Sequence, residues 1–421
     1  MNDMKIYTPE GVQDILGNIS YGKRKIESKI MELFMSFGYE EIQTPNIEYY
    51  DTFAVEKELM PQEKMFKFVD PRGRLLVLRP DMTIPVARVA ATKLRTDQIQ
   101  RFCYVGNAYR YNEFGGGKQR EFTQVGVELL GDKSPQSDAE VIVLAIHALI
   151  RSGLNEFQID IGQTDFFKGI TQEAGLNSMQ EENLREAIDT KDTIGIENFT
   201  EDLKLSSDMK RLIRNLPDFF GSVEAIDKAY EFPLSERSKK ALQNLREILD
   251  IINGYGLSRY VSVDLGMVPA LDYYTGLIFR GFTYGVGFPV LSGGRYDNLL
   301  EKFGFPKPAI GFSIGVNMLI NALLRQDDSG FLQKPKIDML FYTDPECAVI
   351  GYRLSAKLRN SGYTVETLFN ITDLEKTDKT KYKMLVRVNK DQIIVENFLD
   401  NTVKEWTEEE FVNGYIGRDA I

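Results

Sequence analysis

Cysteine is nearly absent from this chain of 421 residues: Cys103 and Cys347 are the two it has, far apart in sequence. Neither a disulfide framework nor a multi-cysteine zinc site can be assembled from them, and a reducing, cytoplasmic setting is the expectation. Histidine is scarcer still. His147 stands alone in the apolar run Val-Leu-Ala-Ile-His147-Ala-Leu-Ile, so a multi-histidine metal site is excluded and the residue reads as a packed core side chain. Neither metal nor cofactor is expected. Positive charge is also in deficit, with 51 Lys and Arg against 62 Asp and Glu and a net charge of -11. That balance argues against broad nonspecific attraction to nucleic acid or anionic membrane, and leaves only a local basic groove open. No segment approaches ~18 uninterrupted apolar residues, and the start Met1-Asn-Asp-Met-Lys-Ile-Tyr7 lacks a basic, apolar and cleavage-site pattern. Export and membrane spanning are therefore not expected.

What is present is ordinary globular material, 43% hydrophobic and 27% charged, and at roughly 100–200 residues per domain the length predicts two to four folding units. Ile26, Ile30, Leu33, Phe34 and Phe37 recur at helical spacing and predict an amphipathic helix over 20–37, stopped by Gly38. Residues 39–45 read as extended, with Pro45 confined to a sheet edge or strand end because it has no N–H to donate. Runs 64–69 and 75–78 flank Asp70-Pro-Arg-Gly73 and predict a hairpin. Further strands are predicted at 99–105, 122–130, 157–161, 260–264, 276–280 and 285–291. Ser137 and Glu140 have capping-box spacing before the apolar run 141–150, and a helix is predicted through Asn298 and Phe303. Charged, helix-favouring segments between about 174 and 256 read as a helical insertion. After a linker at 326–330, strand, helix and strand patterns predict a small α/β domain over 336–421, behind a core over 1–325. The fold class is α+β, a mostly antiparallel sheet with flanking helices.

Each motif taken singly has a plain structural reading beside the chemical one. Gly17 to Arg24 nearly spells a phosphate-binding loop, but Arg24 stands where a Ser or Thr would ligate magnesium and no apolar strand precedes it. Gly115, Gly116 and Gly117 suit a hairpin tip as well as a phosphate cradle. Leu78-Arg79-Pro80-Asp81-Met82-Thr83 gathers a cation, an anion and a hydroxyl at a helix start, where Asp81 either meets a ligand ammonium or caps the helix. Asp272-Tyr273-Tyr274 could line a polar aromatic pocket or split between core and surface. Gly293-Gly294-Arg295-Tyr296-Asp297 suits close backbone approach to a ligand, or a strand-to-helix turn.

Taken together and in order, these pieces are far more specific. The chain resembles the catalytic core of histidyl-tRNA synthetase, a class II aminoacyl-tRNA synthetase, over roughly residues 5–325. The resemblance is carried by Thr8-Pro9-Glu-Gly11, the segment 37–45, Leu78 to Thr83, Tyr109-Arg110, Phe122-Thr-Gln124-Val-Gly126-Val-Glu128, Leu271-Asp-Tyr-Tyr274, Gly293 to Asp297 and Pro308 to Phe312. It implies that Asp81 and Thr83 meet the ammonium group of bound histidine and Arg110 its carboxylate. Gln124, Glu128, Tyr273 and Tyr274 would meet the amino and imidazole ends. The departures concern ATP. Pro269 occupies the place of an arginine that contacts carboxylate and phosphate, Met318 that of the motif 3 arginine, and Asn112-Glu-Phe-Gly115 that of an acidic-Arg-Pro-Gln loop.

A retained amino-acid pocket without the nucleotide cations, with Asp81-Met-Thr83 where the synthetase usually has Glu-Gly-Thr, is similar to the ATP phosphoribosyltransferase regulatory subunits, a paralogous family of histidine biosynthesis. That resemblance implies a noncatalytic subunit pairing with the short-form ATP phosphoribosyltransferase catalytic subunit, with histidine as allosteric effector and a homodimer inside a hetero-oligomer. The alternative is an active histidyl-tRNA synthetase or synthetase-like adenylating enzyme. The segment 336–421 stands where the synthetase has its anticodon-binding domain, but carries 12 Lys or Arg against 15 Asp or Glu. That is a poor footprint for tRNA phosphates.

Overall fold

The structure is a computed structural model that describes residues 6–54, 61–111, 119–267, 273–326 and 330–415. The chain divides into two compact units, Met1–Leu332 and Gln333–Ile421.

The first unit opens with α1 (Gly17–Ser36), whose Ile26, Ile30 and Phe34 form the buried stripe that the periodicity predicts. Its chain then contributes β1 (Glu40–Glu41), β2 (Ile47–Tyr49), the short α2 (Tyr50–Phe53), β3 (Lys67–Val69) and β4 (Leu75–Leu78). The predicted hairpin is β3 and β4. Its turn is closed by Asp70, whose Oδ1 accepts from the N–H groups of Arg72 and Arg74, and by Gly73 at φ +79°. β2 adds to the other side of β4, so these strands form a separate three-stranded sheet. Next come α3 (Thr83–Thr92), β5 (Gln100–Tyr109), β6 (Glu121–Leu130), α4 (Pro135–Ser152), β7 (Phe157–Gln163) and α5 (Thr164–Glu173). The cap of α4 is Ser134, which accepts from the Ser137 N–H, with Pro135 at the first helical position. Ser137 is thus inside the helix, and Glu140 pairs with Arg101 instead of closing a capping box.

From 178 to 254 the chain is mainly helical: α6 (Ser178–Asp189), α7 (Thr193–Glu201), α8 (Ser207–Asn215), the two-residue β8 (Phe220–Gly221), α9 (Glu224–Tyr230) and α10 (Glu236–Gly254). Then follow β9 (Val261–Asp264), β10 (Leu277–Thr283), β11 (Leu291–Arg295), β12 (Ala309–Gly315) and α11 (Val316–Arg325). Among the described residues the large sheet has nine strands, in the order β1-β5-β6-β12-β11-β10-β7-β9-β8. Neighbours are antiparallel except for β1 with β5 and β7 with β9. One face packs on α1, α4 and α10 through a continuous apolar core that includes the edge-on pair Phe34 and Phe312, 5.7 Å between centroids. The opposite face carries the site.

Two expectations are corrected in this region. Residues 285–290 are not strand, and the predicted turn glycines Gly293 and Gly294 lie inside β11. A Cβ on Gly294 would stand 2.7 Å from the Tyr274 ring, so the strand needs glycine there to admit that ring. The helix expected through Asn298 is a single 3₁₀ turn, Leu300–Phe303.

Among the described residues the second unit has a five-stranded sheet in the order β14-β13-β15-β16-β17. It is built from β13 (Ile337–Thr343), α12 (Ala348–Asn360), β14 (Val365–Leu368), α13 (Ile371–Lys376), β15 (Tyr382–Val388), β16 (Ile393–Asn397), β17 (Thr402–Trp406) and α14 (Glu408–Tyr415). β13 is parallel to both β14 and β15, the strand-helix-strand arrangement of an α/β unit, and β16 and β17 extend it as an antiparallel meander.

Candidate functional site

Strand register brings the polar residues of distant segments onto one face. Across β5, β6 and β12, Tyr104 lies opposite Gly126 and Gly126 opposite Ser313; one step along, Phe102 lies opposite Glu128 and Glu128 opposite Gly311. The row continues through Gly294 on β11. Glycines at 126, 294 and 311 keep this part of the sheet low, and the larger side chains around them form a cradle.

Glu128 is the centre of it. With 1% of its surface exposed, its carboxylate accepts from Thr83 Oγ1 at 2.8 Å, from the Tyr104 hydroxyl at 3.2 Å and from the Tyr296 hydroxyl. Burial pushes its pKa up to about 8, the charge of Asp81 adds to that, and the three hydroxyl donors oppose it. Gly311 is the reason the carboxylate fits: a Cβ at that position would collide with Glu128 Oε2 and with the Val127 carbonyl. Gly311→Ala is therefore expected to cost about 2–3 kcal/mol of stability, because the obstructing carbonyl is backbone and cannot swing aside. A denaturant midpoint unchanged by this substitution would contradict the packing described.

Asp81 caps the helix, and its second oxygen faces the cradle. Its Oδ1 accepts from the Ile84 N–H at 2.9 Å, fastening the start of α3, while Oδ2 lies 3.7 Å from Arg110 Nη2. Burial raises its pKa and Arg110 works against that shift. Arg110 donates Nε to the Pro80 carbonyl at 2.7 Å and lies over the Phe122 ring at 5.4 Å, so the segment before α3 and strand β6 together fix its direction. Gln124, four residues before Glu128 on β6, shares its face; Nε2 donates to Ser313 Oγ at 3.0 Å, and its buried Oε1 has no partner. Tyr273 and Tyr274 stand 4.7 Å apart by centroid, and Tyr273 meets the Tyr296 ring edge-on at 6.0 Å. Thr83, Glu128, Tyr296, Tyr273 and Tyr274 thus form one chain of contacts, with Asp81 and Arg110 at its α3 end.

Other motif residues have structural work. Arg79 is buried and donates to the carbonyls of Thr44 and Asn107, bracketing the three-stranded sheet to β5. Arg295 donates to Asp138 at the start of α4, to Ser137, to the Asp132 carbonyl and to Asp297. Burial pushes the Asp138 carboxyl up to about 6 and Arg295 pulls it down. Tyr104 and Ser313 escape a sequence reading because each sits in an apolar strand run, and only pairing across strands brings Tyr104 to Glu128 and Ser313 to Gln124. Met318 is half-buried in the first turn of α11. Pro269, Leu271, Asp272, the loop 112–115 and the glycines 115–117 lie outside the described residues.

Among the described residues no helix is long and apolar enough to cross a membrane, and no group of three or more His, Cys, Asp or Glu is placed to hold a metal ion.

Comparison with known proteins gives the same assignment from several directions. A family model described as histidyl-tRNA synthetase matches residues 11–319. The ATP phosphoribosyltransferase regulatory subunit of Acetivibrio thermocellus is 53% identical over 376 residues, 89% of this chain and 90% of that one. The Ruminiclostridium cellulolyticum protein of the same name is 46% identical over 90% of both chains. Among solved structures, an ATP phosphoribosyltransferase regulatory subunit/histidyl-tRNA synthetase from Bacillus halodurans superposes with a TM-score of 0.81 at 31% identity, covering 92% of this chain and 99% of that one. Histidyl-tRNA synthetase from Nostoc sp. PCC 7120 superposes with a TM-score of 0.77 at 22% identity over 96% and 97% of the two chains, a likeness of fold. The fold is the class II synthetase-like α+β architecture that the sequence predicts.

Proposed function

This chain belongs to the family of ATP phosphoribosyltransferase regulatory subunits, which are built on the histidyl-tRNA synthetase fold, and from that membership we propose that it regulates a catalytic ATP phosphoribosyltransferase without catalysing adenylation itself. Histidine biosynthesis is the pathway that follows from the family name. The partner is the short-form catalytic subunit, histidine is the effector, and the setting is the cytoplasm.

The observation that carries the sensor role is the cradle around Glu128. Buried carboxylates at Asp81 and Glu128, an inward guanidinium at Arg110 and an unpartnered carboxamide oxygen at Gln124 are complementary to a zwitterion bearing a further N–H group. Met318 supplies no charge where the synthetase resemblance calls for arginine. Histidine then controls the complex only through different affinities for two assembly states. Apolar Ile47, Tyr49 and Phe68 are exposed on one face of the three-stranded sheet, and a homodimer formed beside the Pro45 segment would cover them.

The test is a phosphoribosyl-transfer assay with the short catalytic subunit, with and without this chain. Turnover is expected to depend on this chain and to fall when histidine is added. Arg110→Ala is expected to weaken histidine binding by about 1.5–3 kcal/mol, roughly 10- to 150-fold, through the lost charge-assisted contact. Activity independent of this chain, or calorimetry with no histidine binding, would overturn the respective part of the reading.

A further inference from the structure

We propose that the cradle takes up its amino acid with release of a proton, so that occupancy strengthens as pH rises through the neutral range. The inference rests on the amino-acid reading above and adds to it the charge that the site must exchange.

Asp81 and Glu128 are both withdrawn from water, and Thr83 lies between them, its hydroxyl donating to Glu128. Among the described residues the cation in contact is Arg110, at 3.7 Å from Asp81 and committed through Nε to the Pro80 carbonyl. The other groups facing Glu128 are neutral at physiological pH. Tyr104 approaches from β5, Tyr296 from the end of β11, and Tyr273 and Tyr274 from the segment before β10; burial pushes all four phenols upward. From β12 comes the bare backbone at Gly311. Arg79, which follows β4 and lies against β5, is bound to the carbonyls of Thr44 and Asn107, and Arg280 on β10 pairs with Asp189 at 3.6 Å.

Two buried carboxylates against one guanidinium leave one negative charge uncompensated in a low-dielectric site, and such a carboxylate keeps its proton. Glu128 is the holder, since Asp81 has Arg110 and the Ile84 N–H while Glu128 has only hydroxyls. When Glu128 is protonated one of those hydroxyls turns to accept from it, which Thr83, Tyr104 and Tyr296 can do without moving their frames. The entering zwitterion turns its carboxylate toward Arg110 and its ammonium toward Asp81 and Glu128, so the ligand charge nearest Glu128 is positive and favours its ionised form. Glu128 then ionises; its O–H bond breaks, the proton passes to buffer, and the carboxylate keeps the electron pair.

The experiment is isothermal titration calorimetry of the full chain with L-histidine, in phosphate and in Tris at pH 7.5. With a midpoint near 8, about three-quarters of a proton is released at that pH, seen as a heat that differs between the two buffers. The dissociation constant is expected to tighten about eightfold between pH 7.0 and 8.5. Glu128→Gln should weaken binding and abolish both the buffer dependence and the pH slope. Tyr296→Phe, which removes a donor to the ionised carboxylate but leaves Glu128 in place, should move the midpoint upward. Binding with a buffer-independent heat and a pH-flat constant, including transfer of the proton directly to the imidazole with none released, overturns this proposal and leaves the amino-acid site standing. No binding at any pH overturns the sensor reading instead.

Discussion

Supplied with ATP, magnesium and histidine, the isolated chain is expected to exchange pyrophosphate into ATP no faster than a protein-free control. Adenylation builds negative charge between an attacking carboxylate and a polyphosphate, and fixed cations lower that barrier because they are oriented before the charge develops. Loss of one such group costs about 10²–10³ in rate, equivalent to about 2.7–4 kcal/mol. By resemblance this chain has lost two arginines, at Pro269 and Met318, and the residues of the loop 112–115 differ as well. Proline and methionine have no proton to donate and no charge to offer. Met318→Arg alone is expected to restore nothing, since Pro269 would still leave the carboxylate side uncompensated. Measurable exchange above control, in the wild-type chain, would return the active-synthetase alternative.

Arg295→Met is expected to destabilise the chain by about 3–5 kcal/mol, the cost of leaving a buried charge without its partner. Arg295 and Asp138 are 6% and 2% exposed, and the guanidinium also bonds the Asp132 carbonyl, Ser137 and Asp297, so β11, α4 and the turn after β6 all lose an anchor together. The sign of the pH dependence follows from Asp138. Its carboxyl already holds its proton up to about 6, above its ordinary value, and removing Arg295 takes away a group that lowers it. In the variant Asp138 stays protonated to higher pH. The deficit should therefore be smallest near pH 5, where a neutral carboxyl is tolerated, and grow as pH rises through and beyond about 6. Denaturant titrations at pH 5 and 8 measure it. An equal deficit at both would mean that the ion pair is not what binds these elements.

The elements legible in the sequence are those whose signal is local. The helical spacing of Ile26, Ile30 and Phe34 and the turn at Asp70 and Gly73 each predict an element within a few residues of where it is found. The failures are non-local. Gly293 and Gly294 read as a turn because paired glycines usually are one; the rings of Phe279 and Tyr274, brought in from other segments, are what require glycine inside a strand. Ser137 has cap spacing, but Ser134 followed by Pro135 starts the helix three residues earlier and leaves Glu140 to Arg101.

The sequence by itself determined the family and proposed the chemical inventory of the candidate site, because side-chain type and order along the chain carry both. It named Asp81, Thr83, Arg110, Gln124, Glu128, Tyr273 and Tyr274 and the missing cations at Pro269 and Met318. Only the tertiary structure decided which atoms meet. Register across β5, β6 and β12 sets Tyr104 and Tyr296 on Glu128, gives Gly311 its steric purpose, and divides the guanidiniums between bracing the fold at Arg79 and Arg295 and facing the cradle at Arg110. Cross-strand pairing joins residues far apart in the chain, and the protonation of a carboxyl depends on its burial and on the charges around it, neither of which is a property of the residue's own position in sequence.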